Sequence, residues 1–355
     1  MSVMFLPRYD RLGASSRLRF FMYFDSYIKN GGRAEIKPGM SDEYLHQLYR
    51  AGRVGLFCKL REFMRMFFRA AALPENLIIE YELVPELPYK YEKHLIGSRK
   101  YILNFDDNVW DKYRDKAALK DKYDQLCRNA AGVIVANDFL REKVSLLNDN
   151  VIVIPTVVDL EHYAGSCGKY STFTAAWIGT PVTYKYLESH LEALQMMFGT
   201  ADRQLLVIAD KRLGASRPLP GVNARYVDWS QETEAEYLKK CHLGIMPLDD
   251  DEFSRGKSAY KLLQYQAAGL PLLASPVGEN CRVVTDDFNG FLAQTPREWQ
   301  EKLDLLCGGN ARLDQFCANA RSRAYEYSFQ KYFPIFTEFV NKTFYLPESR
   351  SDYEV

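Results

Sequence analysis

The stretch FSRGKSAYKLLQYQAAGLPLLASPVGEN, Phe253 to Asn280, sets an amphipathic helical pattern directly before an apolar run. A helix followed by a buried strand is the repeating unit of a parallel sheet covered on both faces. The helix is expected to begin near Gly256. Arg255 and Lys257 then sit at its amino end, with Lys261 a turn later, although unpaired N–H groups there disfavour each cation by about 0.3–1 kcal/mol. On such a helix Lys257, Lys261 and Gln264 share a face. A diphosphate relieves the cost by binding lysine charge and helix N–H groups together, and the Gln264 amide can hydrogen-bond a ribose hydroxyl. The alternative is a solvated face pairing with Asp249, Asp250, Asp251 and Glu252.

Similar apolar runs recur along the chain: SVMFLP, NLIIEYELV, KYILNF, GVIVAN and VIVIP, then FTAAWIG, QLLVIA, LGIMPL and LPLLAS. None alternates with polar residues, and helical patterns lie between them. The fold class is therefore α/β with parallel sheets. The series restarts after VIPTVVDLEHYAGSCGKYST, so the expected organisation is a domain over 1–165, a second over 166–330, a helix over 331–345 and a flexible tail over 346–355. Pro334 is expected near the start of that helix or at a kink.

At 355 residues the chain accommodates two ordinary domains, and its 46 basic and 46 acidic residues cancel, leaving no overall footprint for nucleic acid. Residues 1–70 nevertheless hold 13 Lys/Arg against 6 Asp/Glu. Seven scattered cysteines with no C-x-x-C pair fit a reducing compartment. The start MSVMFLPRYDR lacks signal-peptide character and no apolar run is long enough to span a bilayer, so a cytoplasmic location is expected, at most peripheral to a membrane.

Ligands of doubly wound sheets bind beyond the carboxyl ends of the strands. Asp106 and Asp107 fall at such an end, as candidates for sugar hydroxyls or for helix capping. Thr180, Thr183 and Lys185 follow FTAAWIG, as phosphate or sugar contacts or again as caps. Ser15 and Ser16 can cap the helix after the first strand. The acidic run 249–252 is read as solvated, and the five histidines hold no metal or triad spacing.

RGKSAYKLLQYQAAGLPLLASPVGENCRVVTDDFNGFLA resembles the donor-site region of bacterial GT-B glycosyltransferases of the family 4 type, which often reads K-x-x-E-Y-M-A-x-G-x-P-V. GASSRLR, NFDDNVWDKY, PTVVDLEHY and WIGTPVTYKYL resemble, in order, segments of a subgroup used in polysaccharide and lipopolysaccharide assembly. The resemblance implies two Rossmann-like domains facing across a cleft, the carboxyl-terminal helix crossing back to the first. It implies a retaining transfer of a hexosyl-type sugar from a nucleotide diphosphate sugar to a growing surface glycan or lipid-linked acceptor. No cofactor or metal is implied. The first domain would bind acceptor, with Asp106, Ser15 and Ser16 as contacts, and the second would bind donor.

Lys257 and Lys261 would stabilise the leaving diphosphate, with Asp107 as a further catalytic candidate. Gly13, Arg17, Thr180, Lys185, Arg255, Gln264, Gly278, Glu279 and Asn280 are the candidate donor contacts. Gln264 stands where many relatives carry the ribose-binding glutamate, and Gly256 replaces the other glutamate of the E-x7-E pattern. Two other readings therefore stay open, a nucleotide-sugar epimerase of the same fold and a catalytically silent sugar-nucleotide binder.

In AGRVGLFCKLREFMRMFFRA, Arg61, Arg65 and Arg69 form one row beside Phe57, Leu60, Phe63, Met64, Phe67 and Phe68. Basic amphipathic helices of this kind lie on anionic membranes. Residues 53–69 are accordingly a candidate membrane surface, the alternative being a helix that covers the first sheet.

Overall fold

The computed structural model describes residues 2–345, and the tail expected at 346–355 lies outside them. Two compact units emerge, one formed by residues up to Thr156 together with those from Tyr332 onward, the other by Val157–Lys331.

The first unit is built on β1 (Val3–Leu6), β2 (Ala34–Ile36), β3 (Asn76–Glu80), β4 (Lys100–Phe105), β5 (Gly132–Val135) and β6 (Val151–Val153), in the spatial order β2-β1-β3-β4-β5-β6. Every pairing is parallel. The central strands are buried on both faces, which explains their unbroken apolar runs. The last helix, Phe329–Tyr345, contains Pro334 within it, and its Phe336 packs 4.6 Å from Tyr23 and 6.2 Å from Phe5.

The second unit holds β7 (Phe173–Ile178), β8 (Arg203–Ala209), β9 (Ala224–Asp228), β10 (Leu243–Met246), β11 (Leu272–Ala274) and β12 (Gly290–Leu292). They form another parallel sheet, in the order β12-β11-β10-β7-β8-β9. One face packs around Ala176, Ile178, Leu262 and Tyr265, the other around Trp177, Leu194, Ile245 and Trp299. Val158 and Tyr163 belong to the first of these cores. The second unit thus begins ahead of the small polar segment at 165, because these apolar side chains precede it.

Candidate functional site

In the second sheet the connections diverge between β7, which leads to β8, and β10, which leads to β11. These two strands pair only at Leu243 with Ala175 and Gly244 with Ala176. Beyond that point the phenol of Tyr265 replaces the ladder. It accepts the Ile178 N–H at 3.0 Å and donates to the Ile245 carbonyl at 3.2 Å. A Cβ at Gly244 would lie 2.2 Å from the Tyr265 ring, so the insertion depends on that glycine. The carboxyl ends of β7 and β10 are thereby held apart, the place where a doubly wound sheet offers a crevice.

Three segments gather there. After β7, Thr180 and Thr183 close a turn, with Thr180 N–H donating to Thr183 Oγ1 at 3.1 Å and Tyr184 N–H to the Thr180 carbonyl at 3.1 Å. Both threonines are engaged within the turn, and neither side chain caps the helix Lys185–Ser189 that follows. After β10, Asp251 caps the short helix Glu252–Arg255 and Asp250 holds Arg255 through two hydrogen bonds of 2.7 and 3.0 Å. Arg255, expected to meet donor, is thus in the ion pair of the alternative reading. After β11, Gly278 adopts φ +55° with its Cα pressed against the Arg255 backbone, where a Cβ would come within 2.6 Å.

The helix expected from Gly256 instead spans Tyr260–Ala267. Ala259 takes a left-handed conformation, φ 51°, and turns the chain just before it. Lys257 consequently lies in the preceding loop, not on the face of Lys261. Two of the lysines share an aromatic ring and the third lies over another: Lys257 Nζ is 5.5 Å and Lys185 Nζ 4.9 Å from the Tyr186 centroid, and Lys261 Nζ is 5.5 Å from that of Trp177.

Gln264 faces inward rather than toward a ribose. Its Nε2 donates to Tyr163 Oη at 3.0 Å and to Glu234 Oε1 at 3.2 Å. Glu234 is buried and also receives Tyr163 Oη at 2.9 Å and Trp229 Nε1 at 2.5 Å. Its carboxylate, 3.6 Å from His162 Nε2, raises the imidazole pKa. The sequence reading missed Glu234, since its run ETEAE looks like a solvated helix start.

Glu279 is nearly buried, and burial pushes its carboxyl up to about 7. Asn280 Nδ2 donates to the Ser275 carbonyl at 3.0 Å. His190, set aside in the sequence, lies here as well. Its Nε2 is 3.5 Å from Ser275 Oγ and its Nδ1 3.8 Å from Asp249, with burial lowering its pKa against the pull of that aspartate.

The first unit gathers its own cluster at the ends of β1, β3 and β4. The first helical turn starts at Ala14 with Gly13 as its cap residue, so Ser15 and Ser16 lie inside it and do not cap it. Ser15 Oγ approaches Glu80 Oε1 at 2.7 Å and Asp106 Oδ1 at 2.9 Å. Ser16 Oγ accepts the Tyr9 N–H and donates to Glu80 Oε2 at 2.5 Å. A hydroxyl has one proton, so the contact of Ser15 with two carboxyl groups is satisfied when one of them is protonated. Burial, with Asp106 adding to it, raises the pKa of Glu80 against the hydrogen bonds it accepts from Ser16, Arg8 and Ser15. Tyr81 bonds Asp106 from a left-handed backbone, φ 60°. Asp106 is buried, while Asp107 is half-buried. Gly13 is held by close approach to Tyr9, where a Cβ would lie 2.5 Å away, and Arg17 Nη1 donates to the Arg11 carbonyl.

Residues 172–308 match the family model described as "Glycosyl transferases group 1", a span containing every candidate of the second unit. Sucrose-phosphate synthase from Thermosynechococcus elongatus is similar in structure with a TM-score of 0.70 at 12% identity, over 97% of this chain and 99% of that one. HepE of Anabaena, solved with UDP-glucose, aligns with a TM-score of 0.70 at 14% identity, over 96% and 100%. The chain has the GT-B glycosyltransferase fold. TarM of S. aureus, solved with UDP, shares this GT-B fold with a TM-score of 0.58 at 14% identity, over 78% of this chain and 58% of its own length. No curated protein sequence matches this GT-B chain significantly.

Proposed function

We propose that the chain is a retaining glycosyltransferase that moves a hexosyl-type sugar from a nucleotide diphosphate sugar to a growing cell-surface glycan or lipid-linked acceptor. The observation that carries this reading is the placement of Lys185 and Lys257 over Tyr186, and of Lys261 over Trp177 of β7, the strand whose end Tyr265 bridges to β10. The group 1 match over these residues supports it. So do the UDP complexes of HepE and TarM, which make UDP-sugars the first donors to try.

In this reading the second unit binds donor and the first binds acceptor. As the glycosidic bond breaks, charge develops on the departing diphosphate, and Lys257 and Lys261 offset it without a metal ion. Thr180, Lys185, Gly278, Glu279 and Asn280 surround the donor, while Arg255 and Gln264 act through their own partners. Ser15, Ser16, Asp106 and Asp107 meet acceptor hydroxyls, with Gly13 and Arg17 shaping the loop after β1. The departing phosphate serves as base, which suits retention of anomeric configuration. The setting is cytoplasmic, at the inner membrane face.

Incubation of the protein with UDP-glucose and candidate glycan acceptors, followed by mass spectrometry and anomeric NMR, tests the reading. An acceptor heavier by one sugar, with the donor configuration kept, is expected. Inversion would remove the retaining assignment. Isomerised donor formed without acceptor would instead establish the epimerase.

A further inference from the structure

The helix Leu56–Ala71 packs in an unusual sense. It buries Cys58, Glu62, Met66, Arg69 and Ala70. Its anchors are polar: Arg69 Nη1 donates to the carbonyls of Pro7 and Lys37, and Nη2 to that of Leu83, at 2.8–3.0 Å. Glu62 accepts the N–H and hydroxyl of Ser41. The basic row expected from the sequence is therefore broken, because Arg69 points inward to satisfy loop carbonyls.

What remains outside is apolar. Leu56, Leu60, Phe63 and Phe67 form one exposed row and Phe57, Met64 and Phe68 the next, with Leu56 83% and Phe57 82% accessible. Spacings of three, four and seven place them on a single face. An exposed apolar face of this extent marks an interaction surface.

The charges around it indicate what it meets. At 3.6 residues per turn, Lys59 borders one edge of the stripe and Arg61 and Arg65 the other, all three exposed. The one acid of this helix, Glu62, is buried, and Arg61 is shared between it and Glu43. Residues 1–70 as a whole carry the positive excess. A second copy of this face would bring like charges together, whereas lipid phosphates complement them and acyl chains accept the aromatic side chains.

We propose that helix Leu56–Ala71 docks the protein on an anionic lipid bilayer, lying in its surface with the phenylalanine stripe at the acyl boundary. Among the described residues no helix is long and apolar enough to cross a membrane, so the attachment is interfacial. Arg69 ties the helix to the loops after β1, β2 and β3, in the same unit that holds the Ser15–Glu80–Asp106 cluster. This deepens the lipid-linked acceptor reading, yet the docking itself needs no sugar transfer.

Co-sedimentation of the full chain with vesicles of phosphatidylcholine, with and without phosphatidylglycerol, tests it without any turnover. Binding only to the anionic vesicles is expected. The double variant Phe57→Ser/Phe68→Ser, altering two exposed side chains, should lower binding about tenfold or more with an unchanged unfolding curve. The charge variant Lys59→Glu/Arg65→Glu should do the same. Protein left in the supernatant with both vesicle types, equal binding to neutral vesicles, or undiminished binding by either variant would overturn the proposal. So would a dimer in ultracentrifugation that Phe57→Ser/Phe68→Ser abolishes while vesicles capture nothing, which would assign the face to a second copy.

Discussion

Gly244 leaves the space that the ring of Tyr265 fills, and the Tyr265 hydroxyl joins the Ile178 N–H to the Ile245 carbonyl where β7 and β10 part. A side chain at 244 closes that space. Gly244→Ala is expected to cost about 3 kcal/mol through overpacking. Tyr265→Phe, which leaves two buried backbone groups unpaired, should cost about 1–3 kcal/mol. Urea unfolding measures both, and a Tyr265→Phe variant as stable as the parent would contradict the bridging role.

Lys257 lies in a loop and Lys261 in the first turn of helix Tyr260–Ala267 rather than on one helical face, so their contributions should be separable. Each replacement by Ala is expected to weaken nucleoside diphosphate binding about ten- to a hundredfold, the range of a charge-assisted hydrogen bond. Their melting temperatures should stay near the parent value. Calorimetric titration with UDP compares the two.

Gln264 carries an amide where a second carboxylate would stand against Glu234, 3.2 Å away. In Gln264→Glu the two carboxyl groups share a proton, so the new group has a raised pKa. Its stabilising neutral form is present at low pH and lost as pH rises through that raised value. The variant should thus match the parent near pH 5 and fall about 1–3 kcal/mol below it near pH 8. Equal stability at both values would show that the carboxylates do not meet.

Glu279 supplies a pH dependence of its own. Its carboxyl is shifted from 4.5 to about 7 by burial, with Arg282 only as near as 3.8 Å. Between those values the folded chain keeps a proton that the unfolded chain has lost, so stability falls as pH rises, by up to about 1.4 kcal/mol per unit. Glu279→Gln should flatten this slope. It should also retain nucleotide affinity above pH 7, where the parent sets a carboxylate beside an anionic donor. Chemical unfolding and titration across pH 5–8 read the two effects.

The long apolar strands were legible because burial on both faces leaves no polar alternation, as in NLIIE and FTAAWI. The strands AEI, ARYVD and GFL were not, since they are short or half-polar. The helix start at Tyr260 was hidden because the left-handed turn falls on Ala259, where no glycine signals it. Lys261 could be placed from local spacing alone. Glu80 and Glu234 could not, because their partners Ser15 and Gln264 lie 65 and 30 residues away in sequence, beyond the reach of any periodicity.

The most direct measurement is calorimetric titration of the purified chain with UDP-, GDP- and dTDP-sugars, with and without magnesium, repeated on Lys261→Ala. Saturable, magnesium-independent binding to one nucleotide class, lost in a variant that still unfolds cooperatively, is the expected result. A folded protein that binds none of these donors, or a Lys261→Ala variant that binds as the parent does, would contradict a donor site built on these lysines.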